Sequence, residues 1–346
     1  MNPALPLVEE LLHNAITTKA TDLHFFPARK ETNVFFRIHG KRVYHRSIQT
    51  SQYELLLTYF KFTAGMDIGE SRKPQDGSIF HHFSSLGSYS LRLSTLPLAS
   101  LESLAIRILP EENLLPLDKL FLFPNQLNTL KKWLTKKEGI ILITGPTGSG
   151  KTTTLYALIK ALMENNTYQM ITLEDPVEKL IDGVIQVQIN EQAGITYQTG
   201  LKAALRHDPD VLMIGELRDA TTTRFAFQAS LTGHLVLSTL HAKNTTGTIY
   251  RLLEMGINQQ DLLQSLLAVA SIELVPIKRK DSFQRAAILE LLDGDELARA
   301  IRLEDVTNKY HSFDHLRRKA YAYGFFSEVY DKETRYVARR NSNEVS

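Results

Sequence analysis

The octapeptide Gly145-Pro146-Thr147-Gly148-Ser149-Gly150-Lys151-Thr152 constrains this chain more than any other stretch. It fits the spacing G-x-x-x-x-G-K-[ST], follows the apolar run GIILIT, and leads into a helical pattern from Lys151 to Met163. In a strand–loop–helix of this kind the glycines let the loop wrap so that backbone N–H groups point inward at phosphate oxygens. The helix N-terminus adds partial positive charge at the same place. Lys151 is expected to reach the β- and γ-phosphates and the Thr152 hydroxyl to ligate Mg2+. The expected nucleotide contacts therefore run from Gly145 through Thr153. Such contacts go to phosphates, so the loop predicts a triphosphate nucleotide without naming its base.

Around the loop the sequence alternates apolar strand candidates (ITLED, VIQVQIN, VLMIGE, LVLSTLHA) with helical segments. That alternation predicts a doubly wound α/β domain with a parallel-rich sheet. Upstream, TNVFFRIHG, KRVYHR, SYSLRLSTLP and SLAIRILP read as strands, with a helix around Gln52 to Gly65, predicting a smaller α+β domain. The expected organisation is a first domain over 1–110, a proline-punctuated linker over 111–125, a core over 126–276, and a mostly helical extension over 277–346. After Gly256 the pattern reads as mostly helical through Val275. Leu5, Val8, Leu11, Leu12, Ala15 and Ile16 recur at helical spacing, predicting an N-terminal helix packed on its own domain.

A phosphate cradle alone binds; hydrolysis also needs a carboxylate to orient or deprotonate water and a way to hold Mg2+. Glu174 and Asp175 close the strand ITLED, and Glu216 follows VLMIG, where Gly215 stands in place of the usual Asp. Strand C-terminal ends face the crevice where doubly wound sheets bind ligands. Glu216 is the expected general base, with Glu174 and Asp175 shaping the metal and water network; the plainer alternative is a helix cap or surface ion pair. His234 and His241 flank LVLSTL, and His241 sits where a γ-phosphate sensor would stand.

Composition narrows the remaining classes. Lysines and arginines number 40 against 38 acids, a net charge of +2, so direct nucleic-acid binding is not expected. There are 0 cysteines, which excludes disulfides and Cys-based zinc sites and fits a reducing compartment. No apolar run approaches the ~20 residues that span a bilayer, so any membrane contact is expected through a partner or a surface.

In order along the chain, GPTGSGKTTTLY, ITLEDPVEK, LRHDPDVLMIGELRDATT and GHLVLSTLHAKNT resemble the Walker A, Asp, Walker B and His boxes of the secretion traffic ATPases. These drive type II secretion, type IV pilus assembly and competence pseudopili. Upstream, TDLHFFP, KPQDGS, LRLSTLP and AIRIL look like that family's N-terminal domain. The resemblance implies a PAS-like domain before a RecA-like core, ATP with Mg2+, and a homohexamer in the cytoplasm. It also implies a polytopic membrane platform protein as partner and pseudopilin machinery acted on indirectly. Arg92 and Arg107 match arginines that, in the family, swing toward the nucleotide on domain closure; otherwise both read as strand-surface residues. Arg206 and Arg218 match further box arginines, expected at the phosphates or a subunit boundary, and His234 joins the expected nucleotide contacts.

Departures sharpen the resemblance. The family's four-cysteine zinc insertion is missing, so no zinc is expected, and Ile272-Glu273-Leu274 replaces an expected Gln-Arg-Leu. The segment VQINEQAGITYQTGLKAALRHDPD resembles the assembly branch, and the short chain looks most like the competence ATPases of Gram-positive bacteria. The alternatives are a related secretion or pilus ATPase, a pump that threads DNA past the basic run Lys278-Arg279-Lys280, and a non-catalytic nucleotide-binding scaffold. YHSFDHLRRKAYAYGF reads as an amphipathic helical cap or partner surface.

Overall fold

Alternation of apolar and polar residues along the first strands decides which face of the first sheet is buried. In the computed structural model, residues 3–99, 101–110, 115–165, 167–279, 282–304 and 312–325 are described. The chain divides into two units, Met1–Asn113 and Leu114–Ser346.

The first unit runs α1 (Leu5–Thr17), β1 (Asp22–Pro27), β2 (Glu31–Ile38), β3 (Lys41–Gln49), α2 (Thr50–Thr63), β4 (Gln75–Phe83), β5 (Gly87–Pro97) and β6 (Glu102–Pro110). Its strands form a 6-stranded sheet in the order β3-β2-β1-β6-β5-β4. Leu23, Phe25, Val34, Phe36, Leu91, Leu93, Leu104 and Ile106 fill one face and pack with Val8, Leu11 and Leu12 of α1 and Tyr53, Leu56 and Phe60 of α2. The N-terminal helix is thus part of this unit's own core. Buried Lys61 ties α2 to β6 through a 2.7 Å ion pair with Glu102. Strand β4 was not anticipated: its mixed sequence QDGSIFHHF lacks a clean alternation, and the hairpin with β5 holds it.

The second unit runs α3 (Pro124–Trp133), β7 (Gly139–Thr144), α4 (Lys151–Asn165), β8 (Met170–Glu174), β9 (Ile185–Gln188), α5 (Tyr197–Ala204), β10 (Val211–Ile214), α6 (Ala220–Leu231), β11 (Leu235–Leu240), α7 (Thr245–Glu254), α8 (Gln259–Ser265), β12 (Leu266–Arg279), β13 (Ser282–Asp293), α9 (Gly294–Ile301) and α10 (Phe313–Ala322). The 7-stranded sheet has the order β13-β12-β7-β11-β10-β8-β9 and is parallel except for β13. Every residue of β7 is buried, because one core packs Ile141 and Ile143 while the other packs Ile140 and Leu142. Continuous apolar runs are what a parallel strand covered on both faces requires.

One expectation is corrected here. The stretch read as helical through Val275 leaves its helix at Ser265 and becomes β12, and the expected helical extension from residue 277 begins with the second half of a β-hairpin. LLAVASIELV satisfies helical and buried-strand patterns equally, since both of its faces are covered. Pairing with β7 from Leu266 to Ser271 decides the matter. Pro276 lies past Ser271, the last residue of β12 paired with β7, and opposite Arg285 of β13. Segment 115–125, expected as linker, packs on this unit: Leu122 N donates to Ala287 O at 2.9 Å, and Ala287 N to Leu120 O at 2.9 Å. Helix α10 lays Leu316 and Ala320 against Phe123, Val275 and Ile288, and Arg317 holds Glu273 of β12 at 2.9 and 2.7 Å. Tyr310 and His311, at the start of the expected cap, and Lys280 of the basic run lie outside the described residues.

Candidate nucleotide site

Strand β7 stops at Thr144 and α4 starts at Lys151, leaving Gly145–Gly150 as the connecting loop. Gly145, Gly148 and Gly150 have φ of 149°, 78° and 95°, a region that side chains rarely adopt. A Cβ on Gly145 would also meet Ser149 Oγ at 2.6 Å and Ile272 O at 2.8 Å. Lys151 is buried, and its Nζ donates to Gly145 O and Pro146 O, both at 3.0 Å. Burial lowers its pKa, while the charge of Glu216 works in the opposite direction.

The loop fits a phosphate group by an independent test. Ser149 Oγ is buried and has no hydrogen-bond partner among the described residues, although a buried hydroxyl without one is costly. A phosphate oxygen in the loop would accept that bond. Thr152 is half-buried and Thr153 exposed at the start of α4.

Strands β8, β10 and β11 end side by side in register, Leu173 against Ile214 and Ile214 against Ser238. Just beyond those ends a chain of charged contacts runs across the sheet. Arg218 Nη1 donates to Asp175 Oδ2 at 2.9 Å and Nε donates to Glu216 Oε2 at 2.9 Å. His241 Nε2 lies 2.9 Å from Glu216 Oε1. The hydrogen bond to Glu216 is the main reason that the Arg218 pKa is raised. Exposed ion pairs contribute only ~0–1 kcal/mol each, so the arrangement matters mainly for where it holds Glu216. A cavity of about 390 Å3 opens here, lined by Gly145, Pro146, His241, Lys243 and Glu273.

Glu174 is placed differently from its neighbour. It is buried, accepts hydrogen bonds from Tyr156 OH, from Thr172 Oγ1 at 2.5 Å and from Gln186 Nε2 at 3.2 Å, and thus faces the interior while Asp175 faces out. Burial raises its pKa against the opposing effect of those hydrogen bonds. The Tyr156 hydroxyl also accepts from the Glu178 N–H at 3.0 Å, so it ties α4 to the loop after β8. Sequence reading missed Tyr156 and Gln186. The available signal was a tyrosine among the apolar residues of α4, whose hydroxyl needs a partner when buried.

His234 and Arg206 do not join this group. His234 precedes β11, its carbonyl accepts from Gly139 N at 3.1 Å, and its Nδ1 lies 3.0 Å from Ala229 O. It therefore sits at the start of β7, roughly 20 Å from the loop at the other end of the strand. Arg206 is exposed in the turn Leu205–His207 that precedes β10, toward the same far edge. In the first unit, Arg92 and Arg107 are direct partners across β5 and β6, and both are exposed.

Over residues 1–321 the chain matches the family described as Type II/IV secretion system protein. Competence protein ComGA of Bacillus subtilis (strain 168) is 40% identical over 336 residues, 92% of this chain and 94% of its own. Type II secretion system protein E of Pseudomonas aeruginosa is 40% identical over 276 residues, 80% of this chain and 55% of its own. The solved structure of the pilus retraction motor PilT with bound ADP has a TM-score of 0.72 at 27% identity, covering 92% of this chain and 94% of PilT. The Legionella pneumophila ATPase DotB shares the fold, with a TM-score of 0.71 at 23% identity over 95% of this chain and 94% of its own. With a RecA-like α/β core preceded by an antiparallel-sheet unit, this chain belongs to the type II/IV secretion system protein family.

Proposed function

We propose that this chain is an ATP-hydrolysing motor that works as a homohexamer and drives assembly of a competence pseudopilus for DNA uptake. The observation that carries the reading is Glu216, held by Arg218 and His241 beside the phosphate loop, in a chain similar over most of its length to competence protein ComGA.

Lys151 and the loop N–H groups bind the phosphates of ATP, and Ser149 donates its unpartnered hydroxyl to them. Thr152 would hold Mg2+, with Glu216 acting through water, whereas Glu174, turned to the interior and held by Tyr156, Thr172 and Gln186, does not take the metal-side place expected for it; bound Mg2+ supplies neutralisation of phosphate charge. Glu216 orients the attacking water and takes its proton, and His241 sits against the same carboxylate. Asp175 anchors the arm of Arg218 that keeps Glu216 in place. Arg92 and Arg107 stabilise the charge that develops on the phosphates, a contribution worth ~10³ to 10⁵ in rate for such arginines. Arg206, away from the loop, serves the boundary with a neighbouring subunit. The motor acts from the cytoplasmic side on a polytopic membrane platform protein and reaches the pseudopilins through it. Among the described residues no helix is long and apolar enough to cross a membrane.

ATP turnover measured across protein concentrations, with mass by light scattering, tests the reading. Turnover that rises as a six-fold assembly forms supports it; turnover by a persistent monomer removes the ring, and silence in both states removes the enzyme.

A further inference from the structure

Asp22 opens β1 inside the segment TDLHFFP, and the register puts it in a row of charges. Its Cα partners are Arg37 on β2 and Arg107 on β6, and Arg107 in turn faces Arg92 on β5. Leu23, Phe36, Leu91, Leu93 and Ile106 are buried under the helices, so the alternation of the strands turns this row to the opposite face. Like charges directly opposite one another on a sheet are destabilising, which makes Arg92 beside Arg107 an arrangement that needs compensation.

Asp22 supplies it. The residue is only 7% exposed, and both carboxylate oxygens are committed. Oδ1 accepts from Arg107 Nε at 2.9 Å and Oδ2 from Thr21 Oγ1 at 2.8 Å, with Arg37 Nε 3.7 Å away. Burial works to raise its pKa, and the bonds from Thr21 and Arg107 with the charge of Arg107 outweigh it, leaving the group below the ordinary value. Arg37 is tied back to Gly40 O at 3.0 Å. The Arg107 side chain is 64% exposed, and among the described residues only its Nε is bonded. A guanidinium fixed through Nε keeps its terminal amino groups for a second anion, which it can take in two parallel bonds.

We propose that Asp22 is a positioning residue for Arg107, aiming its terminal amino groups beside Arg92 so that the two arginines meet a phosphate together. The inference rests on the reading above that Arg107 serves ATP hydrolysis. Asp22 touches no substrate; it acts by holding Nε and by balancing the charge of Arg107.

A double-mutant cycle on the full chain tests this, with steady-state kcat and KM for ATP read for wild type, Asp22→Asn, Arg107→Ala and the double variant. Each single substitution is expected to lower kcat by about 10-fold or more, the scale of a misplaced catalytic group, with KM within about twofold. The double variant is expected to be no slower than Arg107→Ala, because groups acting as a unit are not additive. A loss from Asp22→Asn that recurs in full on the Arg107→Ala background indicates damage to the fold and overturns the proposal. An Arg107→Ala chain that slows while Asp22→Asn keeps wild-type kcat overturns the positioning role alone. Wild-type kcat in Arg107→Ala overturns the reading of Arg107 and the positioning role with it.

Discussion

His241 Nε2 stands 2.9 Å from Glu216 Oε1, so residues that follow two neighbouring strands meet at one carboxylate. The other oxygen of that carboxylate is held by Arg218. Replacing His241 by Ala releases one side of Glu216, and kcat is expected to fall by about 10²-fold through misplacement. Glu216→Gln removes the base itself and is expected to cost ~10² to 10⁴ in kcat while nucleotide still binds. Phosphate-release kinetics and a fluorescent-nucleotide titration separate the two effects.

Gly145→Ala tests the shape of the loop. Its Cβ would sit 2.6 Å from Ser149 Oγ and 2.8 Å from Ile272 O at a φ of 149°. Strain of this kind costs about 1–3 kcal/mol. The expected outcome is a lower denaturant midpoint for the second unit together with loss of nucleotide binding. A variant with unchanged stability and binding would mean that the loop does not approach β12 as described.

Glu174 predicts a pH dependence of stability. Its folded pKa is raised above 4.5 by burial, so the folded state holds the proton more tightly than the unfolded chain. Stability from this carboxyl is full below the unfolded pKa and is lost as pH rises through the folded value. Glu174→Gln removes that titration, so thermal melts of the variant should lose less stability than wild type between about pH 4 and pH 8.

In the first unit the ion pair of Lys61 and Glu102 is buried at 2.7 Å. Lys61→Met strands the carboxylate in the core and is expected to cost about 3–5 kcal/mol. Urea unfolding of the first unit measures this, and Lys61→Met with Glu102→Leu should recover part of the loss.

Legibility from sequence followed the distance between the residues involved. The phosphate loop was readable because its glycines, lysine and threonine are contiguous and carry their own conformational demand. Glu216, Asp175 and His241 were readable as acids and a histidine at strand ends, since one sheet places those ends together. Box membership alone does not say at which edge of the sheet a residue lies: His234, read at the start of its strand, and Arg206 both lie away from the loop. Asp22 was legible only as part of TDLHFFP and not as a partner of Arg107, which lies 85 residues away along the chain. Strand β12 was read as helix because a segment buried on both faces loses the alternation that distinguishes the two.

The central claim is that the loop around Lys151 turns over ATP. Phosphate release from Mg-ATP by wild type and by Lys151→Ala, at matched protein concentration, tests it most directly. The account predicts steady turnover in wild type and none above background in Lys151→Ala. Equal turnover in both chains would contradict it.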